Sequence, residues 1–154
     1  MLTTHVEPLM SQIEEMKALF PLHYEELALN QDKVPLDPQW HAYTAKEDAG
    51  QTVYVTLREA GQLLGYIVSF VAPGLHYQGC LTAHMDILFV RPDRRDAAAR
   101  GVLMMIDTLE AELRRRGVQR WFMGTKLHKD IGAIFRRKGF EPVEMTYTKW
   151  LGSE

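Results

Sequence analysis

The chain is 154 residues long, 46% hydrophobic and 25% charged, with eighteen basic and twenty acidic residues and a formal charge of -2. That suffices for one compact domain with a substantial core, expected over residues 1–154, and argues against a large duplex-binding footprint while leaving room for local basic patches. A lone cysteine, Cys80, excludes an intrachain disulfide, and neither a secretory leader nor a membrane-length apolar run is visible, so a cytoplasmic protein is expected.

The first thirty residues read as helical. Ile13, Met16 and Phe20 form one apolar stripe, and Pro21 separates this helix from a short second one ending at Leu29. Residues 30–50, with Pro35, Pro38, Trp40 and Tyr43, read as an irregular lid or side wall. From Thr52 the period changes. Strands over 52–57 and 63–71 are joined by a turn at Glu59-Ala60-Gly61, a hairpin that Pro73-Gly74 ends. The next strand covers 81–90 and is stopped by Pro92. Alternation puts His84, Asp86 and Leu88 on one face, with Met85, Ile87 and Phe89 on the other. Cys80, just ahead of this strand, reads as a small buried residue.

The helix after Asp96 carries a stripe of Val102, Met105, Ile106, Leu109 and Leu113 that should pack on the sheet. Arg114, Arg115 and Arg116 fall in its last turn, where they favour the negative end of the helix dipole, and Gly117 can close it. A strand over 118–123 follows. Asp130 caps a short helix whose Ile131, Ile134 and Phe135 face inward, Gly139 stops it, and a last strand covers 143–150. The order predicts an α/β domain with a mixed sheet and helices on both faces.

Two stretches, 88–120 (LFVRPDRRDAAARGVLMMIDTLEAELRRRGVQR) and 134–149 (IFRRKGFEPVEMTYTK), resemble the GNAT superfamily of acyl-CoA-dependent N-acyltransferases. The resemblance implies a mostly antiparallel central sheet flanked by helices. It also implies acetyl-CoA or another acyl-CoA as co-substrate, its diphosphate held by main-chain N–H groups where the long helix begins. Val90, Pro92 and Arg95 match the family's strand-to-helix turn, and Arg137-Lys138-Gly139-Phe140 matches its closing helix. The resemblance thus assigns cofactor contacts to Leu88, Val90, Arg95, Asp96, Ala97, Ala98, Ala99, Arg100 and Gly101. A helix N-terminus suits an anion, and Arg95, with Arg94, can add charge-assisted contacts. Two departures stand out. Gly101 arrives one position late for the family's glycine-rich loop, and Asp96 puts a negative charge where phosphate would sit. Weak acyl-CoA binding follows as an expectation.

For the chemistry, the resemblance implies direct attack of an amine on a thioester within one ternary complex. The main-chain N–H of Leu88 is the candidate oxyanion donor. Asp86 and His84 are candidate proton acceptors, and Asp86 can instead bind the amine as an ion pair. His128 stands where relatives carry an asparagine, and it can contact the cofactor arm or accept a proton. The position of the family's proton-donating tyrosine holds Phe135, which has no proton to give. His76, Tyr77, His23, Tyr24 and Glu25 are expected to line the acceptor cleft, and acidic Glu25, Glu26 and Asp32 favour a cationic amine, small-molecule or peptide. No zinc-type spacing occurs, so no metal is expected. A homodimer is an open expectation. Two other readings also stay open: a lapsed enzyme serving as a binding or structural module, and transfer of a different group, including to a nucleic-acid base.

Overall fold

The computed structural model describes residues 1–153. Its centre is a five-stranded sheet in the order β1 (Leu2–Glu7), β2 (Thr52–Glu59), β3 (Gln62–Gly74), β4 (Tyr77–Val90) and β5 (Arg120–Phe122). Neighbours are antiparallel except β4 and β5, which run parallel. Helices α1 (Ile13–Leu27) and α2 (Trp40–Asp48) cover one face, and α3 (Arg95–Arg115) and α4 (Gly132–Arg137) cover the other. This is the mixed, mostly antiparallel sheet flanked by helices that the sequence predicts.

Cover on both faces explains why the central strands are apolar at nearly every position rather than alternating. Thr52 through Leu57 of β2 are all buried. Val53, Val55 and Leu57 lie under Val102, Met105, Ile106 and Leu109 of α3, the predicted stripe. Tyr54, Tyr66, Val68 and Phe89 meet Met16, Leu19 and Phe20 of α1 on the opposite face. The hairpin turn at Ala60-Gly61 has positive φ at both residues, 49° and 80°, the handedness that matches twisted strands. The basic end of α3 is neutralised locally: Arg114 pairs with Glu110 at 2.7 Å, and Arg115 and Arg116 pair with Glu112 at 2.6 and 2.9 Å.

Several expectations are corrected. Residues 2–7 form a strand, not a helix: β1 pairs with β2 along its whole length. Arg58 clamps it down, bonding Glu7 at 2.9 Å and Glu15 of α1 at 2.8 Å. A single helix, α1, runs unbroken through Pro21. Pro21 is solvent-exposed, where the carbonyl its ring leaves unbonded can be hydrated. The expected irregular wall contains α2, fixed in place because Glu47 accepts the main-chain N–H groups of Leu9 and Met10 at 2.6 and 3.1 Å. Pro73-Gly74 does not end the hairpin; β3 and β4 continue as a second one, with Pro73 opposite Leu81. Cys80 is half-buried in β4. The strand expected over 143–150 does not form, and β5 ends the sheet.

Candidate active site

The site is built by an irregularity in β4. Val68 of β3 faces Ile87 and Ser69 faces Met85, so Asp86 has no cross-strand partner and bulges from the ladder. A bulge moves every later side chain to the other face. Ala83 and Met85 pack toward α3 ahead of it, and Leu88 and Val90 do so after it, while Ile87 and Phe89 pack toward α1. Strict alternation is therefore wrong across this strand. His84 and Asp86 do share the α1–α2 face, but Leu88 points to the opposite one.

β5 pairs with β4 only from Thr82 to His84, opposite Arg120 to Phe122. Beyond that the strands part, and a cleft of about 950 Å3 opens between residues 85–90 of β4 and Gly124, Thr125 and Lys126. Arg91 donates its main-chain N–H to Leu64 of β3 at 2.8 Å. In an antiparallel ladder a residue's N–H and C=O point to the same side and alternate along the strand. Phe89 therefore also points to β3, and Leu88 and Val90 direct their main-chain groups toward the side where β5 no longer runs. Both line the cleft. The Leu88 N–H thus faces the cleft, although its side chain belongs to the core.

Asp86 lines the cleft too, and its Oδ2 accepts a 2.6 Å hydrogen bond from the Tyr43 hydroxyl of α2. One edge of the carboxylate stays open to the cleft. Asp86 remains solvent-accessible, and desolvation by the protein around it raises its pKa above the ordinary value, opposed by the Tyr43 bond and by Lys46. Burial and the same bond push the Tyr43 phenol up, so it remains a donor. Tyr43 is held by Trp40 and Phe70, with ring centres 5.8 Å away in each case. His23 of α1 stacks flat on Phe89 at 4.8 Å, and its Nδ1 lies 2.9 Å from the Tyr66 hydroxyl. Burial, with Lys126 assisting and Glu26 opposing, lowers its pKa to about 4, so it is neutral at pH 7. Glu26 of α1 and Lys129 of the loop after β5 pair at 3.1 Å, and both line the cleft.

Other candidates lie elsewhere. His84 stacks on Phe122 at 4.9 Å and is not a lining residue. His128 is exposed on the 124–130 loop, whose Thr125, Lys126 and Lys129 line the cleft instead. His76 and Tyr77 sit at the tip of the β3–β4 hairpin, outside the cleft. Of the N-terminal group, His23, Tyr24 and Glu26 reach it, and Glu25 and Asp32 do not. Phe135 is buried, 5.7 Å from Phe140.

After a 3-10 turn at Pro92–Arg94, α3 begins at Arg95, close to the start read from the sequence, so Asp96, Ala97, Ala98, Ala99, Arg100 and Gly101 are helical. Ala97 and Gly101 are buried. A Cβ on Gly101 would stand 2.3 Å from Leu57 Cδ2, so this glycine serves helix–sheet contact. Ala98 reaches the cleft, and Arg95 and Arg100 form no ion pair among the described residues. Asp96 bonds Arg94 at 3.2 Å, and Arg94 also pairs with Glu59 at 2.5 Å. The Arg94 guanidinium, joined by the N–H groups of Asp96 and Ala97, holds the Asp96 carboxyl below its ordinary range. A carboxylate of the chain thus stands in the first turn of α3, where an anion would sit.

No protein-family model and no curated protein sequence matches the chain. Solved structures match it almost end to end. A ribosomal-protein-alanine N-acetyltransferase from Brucella melitensis biovar Abortus 2308 superimposes with a TM-score of 0.74 at 15% identity, over 99% of each chain. The aminoglycoside acetyltransferase HMB0005, from an uncultured soil metagenomic sample, gives 0.70 at 15% identity, again over 99% of each. A transcriptional regulator from Bacillus halodurans C-125 gives 0.72 at 14% identity, over 98% of this chain and 100% of that one. Together they make the fold GNAT-like. Of the residues named from the sequence for the chemistry, Asp86 and Leu88 line the cleft; Tyr43, Lys126 and Lys129 line it too, brought there by tertiary placement for which no local sequence signal exists.

Proposed function

We propose that the protein transfers an acetyl or other short acyl group from acyl-CoA to a primary amine, with both held in the β4–β5 cleft at once. The observation that carries this reading is the parting of β4 from β5 at the Asp86 bulge. It leaves the Leu88 and Val90 main-chain groups facing a cleft whose wall holds a carboxylate of raised pKa. The chain's own groups fit the acyl end of such a co-substrate. At the diphosphate end the fit is contested, since Arg95 and Arg100 form no ion pair among the described residues but Asp96 puts a carboxylate in the first turn of α3.

Acyl-CoA brings the acyl group already activated as a thioester. Asp86 takes the proton that the attacking amine must lose, and its raised pKa makes it a stronger base than an ordinary carboxylate. Tyr43 fixes the orientation of that carboxylate. The Leu88 N–H donates to the carbonyl oxygen as negative charge gathers there. Amide formation creates the carbon–nitrogen bond and breaks the carbon–sulfur bond, and Phe135 of α4 supplies no proton to the departing thiolate. Phe20, Tyr43 and Phe70, together with Asp37, line the acceptor side. They favour a cationic amine with an apolar body.

The test is CoA release from acetyl-CoA across a panel of small amines and peptides. Amine-dependent release is expected, and Asp86→Asn should lower it by ~10²-fold or more while acetyl-CoA affinity is kept. A second reading, a binding module without turnover, is favoured by Asp96 at the α3 N-terminus. Acetyl-CoA binding with no release for any amine would select it.

A further inference from the structure

Three lysines line the cleft: Lys46 of α2, and Lys126 and Lys129 after β5. Lys129 is paired with Glu26, and Lys126 lies on the 124–130 loop, where its charge acts on His23 of α1. Lys46 has a different setting. It follows Tyr43 by one helical turn, in the last turn of α2, and its Nζ stands 4.8 Å over the Phe70 ring. The Tyr43 ring meets the same Phe70 at 5.8 Å, and its hydroxyl holds Asp86.

Lys46 is exposed and forms no ion pair among the described residues. A cation over an aromatic face gains about 0.5–1 kcal/mol at an exposed site, too little to immobilise a flexible four-carbon stem. The charge is felt by Asp86, whose pKa it lowers. Lys46 thus already has what the acyl-transfer reading asks of an acceptor: a primary amine on the acceptor side of the cleft, with an aromatic face beneath it and a carboxylate base nearby. Its tether gives it an effective concentration that a free amine reaches only by binding.

We propose that Lys46 is an acyl acceptor within the chain itself, so that the protein modifies its own α2. The proposal rests on the acyl-transfer reading and names a substrate for it. Nζ, once deprotonated, attacks the thioester carbonyl carbon; a carbon–nitrogen bond forms and the carbon–sulfur bond breaks. The ammonium gives up two protons in all. One passes through Asp86 to solvent, and the other ends on the sulfur, so that CoA leaves as the thiol. The product is a neutral amide. Each chain takes one acyl group, which then stands above Phe70 on the acceptor side.

Peptide-mapping mass spectrometry of the full chain, incubated with saturating acetyl-CoA and no added amine, tests it. The wild-type chain should gain one acetyl group, on Lys46, at a rate independent of protein concentration and at least ~10²-fold faster than label appears on the exposed Lys149. Lys46→Arg, which keeps a cation above Phe70 but offers no amine, should lose the adduct. Asp86→Asn should slow labelling of Lys46 by ~10²-fold and leave that of Lys149 unchanged. The wild-type map decides by itself if either variant misfolds. An unlabelled chain overturns the proposal, as does label on Lys126 in place of Lys46 or label spread evenly over the exposed lysines. CoA release to an external amine without label on Lys46 overturns it too, and leaves the acyl-transfer reading standing. Label on Lys46 with no release to any external amine upholds the proposal and confines the transfer to the chain itself.

Discussion

Gly101 separates two uses of a glycine, close approach to a ligand and close approach of a helix to a sheet. Replacing it with alanine would place a Cβ 2.3 Å from Leu57 Cδ2 and 3.4 Å from Leu57 Cδ1 and Cγ. Leu57 is fully buried, within the cluster that includes Val55, Leu64 and Met105, so its methyl groups have little space to retreat into. Overpacking of this kind costs about 1–3 kcal/mol, and the alanine recovers ~1 kcal/mol in helix propensity. A contact this short falls in the upper part of that range, which leaves a net loss of about 1–2 kcal/mol and lowers Tm by roughly 2–4 °C per kcal/mol. Urea and thermal unfolding of Gly101→Ala measure it. Leu57→Val removes the opposing methyl, so the double variant should lose less than the sum of the singles, a positive coupling across the contact. Acetyl-CoA affinity should not change. Gly101→Ala with undiminished stability and lost acetyl-CoA affinity would refute the packing role and return Gly101 to the ligand.

Three other outcomes are expected. Asp96→Ala removes a negative charge from the first turn of α3 and releases Arg94 from one of its two carboxylates, so titration calorimetry should show tighter acetyl-CoA binding than wild type; weaker binding would mean that Asp96 aids the ligand. Asp86 must be ionised to accept a proton, so kcat/KM should rise with pH through a pKa above the ordinary carboxylate range. Tyr43→Phe, which removes a bond that lowers that pKa, should move the limb higher still; an unmoved limb would detach Asp86 from the rate. His23 has a folded pKa of about 4 against 6.5 unfolded, so the unfolded chain takes up the proton first. Stability attributable to this residue is then intact above pH 6.5, falls as pH drops toward 4, and levels off below, by at most on the order of 3 kcal/mol. Urea titrations of His23→Gln, which keeps a hydrogen-bonding group near Tyr66 but does not titrate, should lack that part of the acid loss.

The sequence displays those parts of the fold that rest on periodicity. The α3 stripe and the β2–β3 hairpin are visible because helix and strand periods differ and the Ala60-Gly61 turn is local chemistry. β1 is hidden: within 2–7 only Leu2 and Val6 are apolar, and the strand is fixed by pairing with β2 and by Arg58 rather than by its own pattern. The Asp86 bulge is likewise silent, because inserting one residue into a ladder leaves no mark on composition, yet it decides which way Leu88 points. The start of α3 is legible within two residues, because three consecutive alanines after Asp96 favour helix. Tyr43 and Asp86 are 43 residues apart, and only the docking of α2 through Glu47 brings them together.

The most direct test of the proposed cleft is a crystal structure of the protein with acetyl-CoA. The thioester is expected between the parted β4 and β5, its carbonyl oxygen within hydrogen-bonding distance of the Leu88 N–H and its acyl carbon facing Asp86. Acetyl-CoA bound outside that gap, or in it with the thioester turned away from Leu88, would overturn the proposed reaction.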